Sequence, residues 1–116
     1  MKLLVVDDDP GVVEMLRDYL SARSFNVLTA ARAREALHLA FHEKPDTVIL
    51  DLTLPDFSGE EVLLKIKEKL PGTHVLILTG RNEPGLETKL RELGCDSFLQ
   101  KGSSLASLEQ ILLNWS

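Results

Sequence analysis

The stretch Thr47-Val48-Ile49-Leu50-Asp51-Leu52-Thr53-Leu54-Pro55-Asp56 decides the fold. Val48, Ile49 and Leu50 form a continuous apolar run, two of them β-branched, which predicts a strand buried on both faces. The run ends on a carboxylate, Asp51, and passes into a loop containing Pro55. Such strands belong to parallel sheets, and open parallel sheets place their ligand sites at the carboxyl ends of their strands. Taken alone, the commoner reading is a strand followed by an acidic turn, because Asp is a frequent turn residue. What else reaches the same edge decides between the two.

Toward the N-terminus, Leu3 to Val6 is another short apolar run and predicts a buried strand. Asp7-Asp8-Asp9-Pro10 follows, with Asp9 suited to an N-cap and Pro10 to a first helical position. Val12, Val13, Leu16, Tyr19 and Leu20 then recur at helical spacing. One aspartate caps the helix, so Asp7 and Asp8 are surplus to that task. Adjacent like charges raise each other's pKa unless a cation joins them. A solvated acidic turn and a metal site fit the cluster equally on these local grounds. Phe25 to Thr29 predicts a weaker strand, and Ala33, Ala36, Leu37, Ala40 and Phe41 a helix ending before Pro45. His38 and His42 have the spacing of a helical metal pair, but no third ligand is near in sequence, so a partly solvated helix face is the reading. His74 has no evident partner.

Toward the C-terminus, Ser58-Gly59-Glu60-Glu61 matches a capping box for a helix carrying Val62, Leu63, Ile66 and Leu70, stopped by Pro71-Gly72. Val75 to Leu78 predicts a buried strand running into Thr79-Gly80, with a turn-rich connection from Arg81 to Gly85. Leu86, Leu90 and Leu93 predict a short helix with Gly94 just beyond its end. Ser97 to Gln100 predicts a last strand, followed by Lys101-Gly102. Ser103 or Ser104 caps a final helix with Leu105, Leu108, Ile111, Leu112 and Trp115; Leu113 and Trp115 either close the core or serve a dimer contact.

Strand and helix thus alternate five times over residues 1–116, as one domain. The predicted fold class is α/β, a doubly wound five-stranded parallel sheet of order 2-1-3-4-5, flavodoxin-like. Acidic residues outnumber basic ones 18 to 13, and no basic stripe occurs, so direct nucleic-acid binding is not expected. Cys95 is the only cysteine, which fits a reducing interior. The apolar N-terminal run stops at three aspartates, too short for a signal peptide, and no window approaches a membrane span. A cytoplasmic protein without membrane contact is expected.

In that sheet order, one rim collects Asp7 and Asp8, Asp51, Thr79 and Lys101, each from the end of its own strand. A few hard oxygen ligands suit Mg²⁺, which keeps several waters and completes its shell with phosphate. An Asp carboxylate can attack a phosphoryl donor and form an acyl phosphate. Mg²⁺, the point charge of Lys101, and the Thr79 hydroxyl with a backbone N–H after Asp51 would then share the three equatorial oxygens.

With these residues the chain resembles the receiver domain of two-component response regulators, over essentially its whole length. The resemblance rests on Asp7-Asp8, on Asp51 to Gly59, on Thr79-Gly80 and on Lys101, each at the end of its strand and in order. It implies that Asp51 is phosphorylated by a histidine kinase or phosphotransfer protein. It implies Mg²⁺ on Asp8, Asp51 and the main-chain carbonyl of Thr53, with Asp7 helping through water. Thr79 and Lys101 would contact the phosphoryl group, and Phe98 would change rotamer with Thr79 as a switch, the alternative being that Phe98 is simply core. Partner or self association would change on the face of the fourth helix, fifth strand and fifth helix, toward an output domain or a second copy. Catalysis would be limited to self-phosphorylation and self-dephosphorylation. Thr53 and Asn82 occupy positions that tune phosphoryl lifetime in the family. Gly102 departs from the family's usual proline, which predicts a looser Lys101.

Two rivals share the sequence features. A small Mg²⁺-dependent phosphohydrolase would need a further acid/base carboxylate near Asp51, for which Asp56 lies too far along its loop, and a cap domain for which there is no room. A phosphorylation-independent interaction module of the same fold would not need Asp51, Thr79 and Lys101 together.

Overall fold

Each periodic stretch forms the type of element that its pattern predicts. The computed structural model describes residues 1–116 as β1 (Lys2–Val6), α1 (Pro10–Ser21), β2 (Asn26–Ala30), α2 (Ala33–Glu43), β3 (Thr47–Leu50), α3 (Gly59–Lys69), β4 (His74–Thr79), α4 (Leu86–Glu92), β5 (Ser97–Gln100) and α5 (Leu105–Asn114). The strands are all parallel, in the order β2-β1-β3-β4-β5. This is the doubly wound sheet predicted from the alternation. β1, β3 and β4 are interior strands, which is why their apolar runs are continuous rather than alternating. β5 lies at an edge and is only half-buried.

Successive residues of one strand serve opposite faces. Leu3 and Val5 join Ile49 and Leu76 under α1 and α5, against Leu16, Leu20, Leu108 and Leu112. Leu4 and Val6 join Val48, Leu50, Val75 and Ile77 under α2, α3 and α4. No helix is long and apolar enough to cross a membrane.

Local chemistry sets most helix ends. Asp9 accepts from the Gly11 N–H at 2.9 Å with Pro10 at the first helical position of α1. Ser58 accepts from the Glu61 N–H at 3.3 Å, but Glu61 makes no return bond, so only half of the expected capping box forms. Ser104, not Ser103, caps α5. β2 begins one residue later than the sequence suggests, because the Phe25 N–H bonds to the Leu20 carbonyl and closes α1. Gly94 takes φ 109° after α4, as a residue at that position should.

Two histidine expectations resolve differently. His38 and His42 lie with ring centroids 4.5 Å apart, and the only cluster of metal-binding side chains is elsewhere. His74 does have a partner, stacking on Trp115 with centroids 4.6 Å apart and planes 8° apart. Trp115 thereby closes the α1/α5 core, while Leu113 stays exposed. Cys95 is buried, and that burial pushes its thiol pKa up.

One cap comes from far along the chain. Arg32 at the N-cap of α2 offers no side-chain bond. Asp56, in the loop after β3, accepts instead from the Ala33 and Arg34 N–H groups at 2.8 and 2.9 Å. Desolvation pushes this carboxyl up, but the backbone bonds outweigh it and hold it below its usual value. A carboxyl lowered on folding contributes stability above its unfolded pKa of 3.8 and loses it as pH falls through the folded value. Asp56→Ala should therefore be less stable than wild type at neutral pH, with the gap closing below pH 3.8 in thermal melts. A gap that persists into acid would show that the carboxylate charge is not what matters.

Candidate functional site

β1 and β3 flank the point where the strand order reverses. The Asp7 N–H bonds to the Ala30 carbonyl at 3.1 Å and the Asp51 N–H to the Val6 carbonyl at 2.9 Å. These bonds carry the sheet one residue past each strand and bring both carboxylates to the rim. Asp7 is 3% exposed and Asp51 5%, while Asp8 lies open beside them. Carboxylate oxygens of all three lie within 4.8 Å of one another.

β5 supplies the counter-charge. Lys101 Nζ lies 2.9 Å from Asp7 Oδ2 and 3.2 Å from Asp51 Oδ2. The Lys101 N–H also donates to the Thr79 carbonyl at 2.7 Å, which ties the end of β5 to that of β4. Gly102 takes φ 99°, a conformation closed to proline. The lysine thus has two carboxylate partners and a backbone tie to β4. Burial lowers the Lys101 pKa, but its bonds to Asp7 and Asp51 outweigh this and hold it above 10.5. Burial raises Asp7 above 3.8, aided by the charge of Asp51 and opposed by the Asp9 N–H and Lys101. Three carboxylates against one ammonium leave negative charge in excess. Hard oxygens in this number, with that excess, fit Mg²⁺ better than a softer ion.

An open hollow of about 350 Å³ lies over Asp51, bordered by Asp8, Thr53, Arg81 and Lys101. The Thr53 N–H points at Asp51 Oδ1, at a long 3.5 Å. The structure therefore brings together Asp7, Asp8, Asp51, Thr53 and Lys101. Thr79 is nearby but does not border the hollow. It is fully buried, and its hydroxyl accepts from the Arg81 N–H at 3.2 Å. Phe98 is half-buried against the core and lines a separate groove with Asn82, Leu86 and Thr88. Asn82 borders that groove and not the hollow, where the loop contributes Gly80 and Arg81. The Arg81 carbonyl accepts from Gln100 Nε2 at 2.7 Å, which ties this loop to the end of β5.

Residues 3–113 match the response regulator receiver domain family. The chain belongs to that family. Its relatives include the response regulator MprA of Mycolicibacterium vanbaalenii, 35% identical over 108 residues, 93% of this chain and 47% of that protein. The alkaline phosphatase synthesis transcriptional regulatory protein PhoP of Bacillus subtilis is 36% identical over 100 residues, 86% of this chain and 42% of that one. The chain thus spans less than half the length of these relatives. Among solved structures, the BeF3-activated N-terminal receiver domain of Klebsiella pneumoniae RstA superposes with a TM-score of 0.93 at 26% identity, covering 98% of this chain and 97% of that one. Receiver domains are signalling switches rather than turnover enzymes. Two residues at this receiver site escape sequence reasoning. Arg81 is visible in spacing, two residues after Thr79, but its partner Glu60 is 21 positions away and carries no local signal.

Proposed function

We propose that this receiver domain accepts a phosphoryl group on Asp51 from a histidine kinase or phosphotransfer protein, and that the modification alters association through α4, β5 and α5. The observation that carries the reading is a nearly buried carboxylate, Asp51, with Lys101 Nζ at 3.2 Å and a hollow open above it. An Asp51 oxygen attacks phosphorus in line. The P–N bond of the donor phosphohistidine breaks as the P–O bond forms, and the electron pair leaves with the imidazole nitrogen, which then takes a proton. Lys101 keeps its proton and offers a fixed positive charge to one equatorial oxygen. The Thr53 N–H already points at Asp51 and is placed for another. Asp8, Asp51 and the Thr53 carbonyl, with Asp7 behind them, would hold Mg²⁺, which neutralises phosphoryl charge when bound.

The Thr79 hydroxyl accepts from the Arg81 N–H and keeps its own O–H to donate, so to reach the phosphoryl group it moves toward Asp51 with its loop. That movement draws the loop after β4 inward and opens space for Phe98 to move into. Two packings that differ by a few kcal/mol suffice for such a switch. The output is a second copy or an output domain, as the longer relatives suggest. Self-dephosphorylation would reset the switch.

Asp56 is ill placed as the acid/base of the hydrolase alternative, because its carboxylate is taken up by the N-terminus of α2. Incubation with acetyl phosphate and Mg²⁺ should add one phosphoryl group by intact mass, and omission of Mg²⁺ should prevent it. Thr79→Ala should still be modified but lose the accompanying change in amide exchange over α4 and β5. No mass gain in wild type would defeat the proposal, and an unchanged exchange response in Thr79→Ala would defeat the coupling.

A further inference from the structure

Arg81 is a second cation at the hollow, and none of the roles above uses its side chain. Its guanidinium is held by two carboxylates, those of Glu60 and Glu83. Nη1 lies 2.9 Å from Glu60 Oε2, in the first turn of α3. Nε and Nη2 both donate to Glu83 Oε1, at 2.9 and 2.6 Å. The pair with Glu60 is imperfect, because Glu60 Oε1 is buried and has no hydrogen-bond partner. A buried carboxylate oxygen left unpaired costs free energy, so this contact is weaker than its distance suggests. The side chains are 16% exposed for Glu60 and 34% for Arg81, so one is enclosed while the other still reaches solvent. The backbone of the same arginine donates to the Thr79 hydroxyl and accepts from Gln100. One residue thus joins α3, the hydroxyl of Thr79 and the end of β5.

We propose that the Glu60–Arg81 ion pair is a latch on the loop between β4 and α4, and that Arg81 exchanges Glu60 for phosphoryl oxygens once Asp51 is modified. This rests on the phosphoacceptor reading above. A guanidinium fork suits a phosphoryl group with close to two negative charges better than one oxygen of a half-paired carboxylate. When Arg81 moves toward Asp51, the Thr79 hydroxyl that accepts from its N–H moves with the same loop. The latch therefore links arrival of the charge to release of the loop.

Beryllium trifluoride with Mg²⁺ serves as the probe, with calorimetric titration of wild type, Glu60→Gln, Arg81→Gln and the double variant. Amide exchange at residues 80–85 checks that each variant is folded and reports the loop. Glu60→Gln should bind the probe about three- to tenfold more tightly than wild type, the scale of one partly exposed charge-assisted pair. Its loop amides should also exchange faster without the probe. Arg81→Gln should bind more weakly than wild type, and Glu60→Gln should add less than about twofold in that background. Equal gains in both backgrounds would mean a general charge effect and overturn the latch. Unchanged binding by Arg81→Gln would overturn it too. If wild type gains no mass from acetyl phosphate, the phosphoacceptor reading fails; if it does and the cycle shows no coupling, only the latch fails.

Discussion

Asp51→Asn is expected to abolish phosphoryl uptake while making the resting protein more stable. The amide keeps the size of the side chain but is no nucleophile, so modification by acetyl phosphate should fall on the order of 10³-fold or more. The stability gain follows from the crowding of charge. Carboxylate oxygens of Asp7, Asp8 and Asp51 lie within 4.8 Å of one another. At an effective dielectric of about 20, Asp7 and Asp8 each repel Asp51 by about 3 kcal/mol, while Lys101 attracts it by about 5 kcal/mol. Lys101, 3.2 Å from Asp51, offsets much of this, and the amide gives up that pairing. A net gain of about 1 kcal/mol remains, or roughly 3–5 °C in melting temperature for a domain of this size. The gain should depend on pH. Asp7 is raised above 3.8, first by burial and further by Asp51. A carboxyl raised on folding favours the native state below its unfolded pKa, and that advantage is lost as pH rises through its folded value. Asp51→Asn relieves the neutral-pH cost, so its advantage should be present at neutral pH, without divalent metal, and fade in acid. Thermal melts against pH, paired with intact mass, check both halves. A variant that is less stable at neutral pH, or that still takes up a phosphoryl group, contradicts this account of the site.

Gly59→Ala should produce the largest loss of stability, and the reason is space rather than backbone conformation. Gly59 opens α3 and donates its N–H to the Leu52 carbonyl at 2.9 Å. A Cβ there would lie 2.5 Å from the Asp51 carbonyl oxygen and 2.6 Å from Leu52 Cα. Both are backbone atoms, so no rotamer change relieves the overlap. Separating α3 from this loop should cost about 2–3 kcal/mol, or roughly 8–10 °C. Because the Asp51 carbonyl is among the displaced atoms, phosphorylation by acetyl phosphate should slow as well. Gly72→Ala is the control, since a Cβ there meets nothing within 4 Å. Equal melting temperatures for the two variants would rule out the steric account.

Much of the molecule is legible in local patterns. Apolar runs such as Val48 to Leu50 announce buried strands, and the helical spacing of Leu16, Leu20, Leu108 and Leu112 announces faces that cover them. Several caps depend on neighbours a few residues away, as with Asp9, Ser58 and Ser104. Once the five strands are parallel, Asp7, Asp8, Asp51 and Lys101 have to meet, because one rim collects every strand's carboxyl end. That inference needs only order and direction.

What only the folded chain decides is the partnership of polar side chains across long separations. Asp56 caps a helix 23 residues upstream of it, and Arg81 takes Glu60 rather than a neighbour alone. His74 finds Trp115, Thr79 turns its hydroxyl into its own loop, and Asn82 borders the groove beside Phe98. Hydrophobic burial repeats with the period of the backbone and so leaves a trace in the sequence. A single hydrogen bond or ion pair has no period, and its partner is chosen by distance after the core has packed.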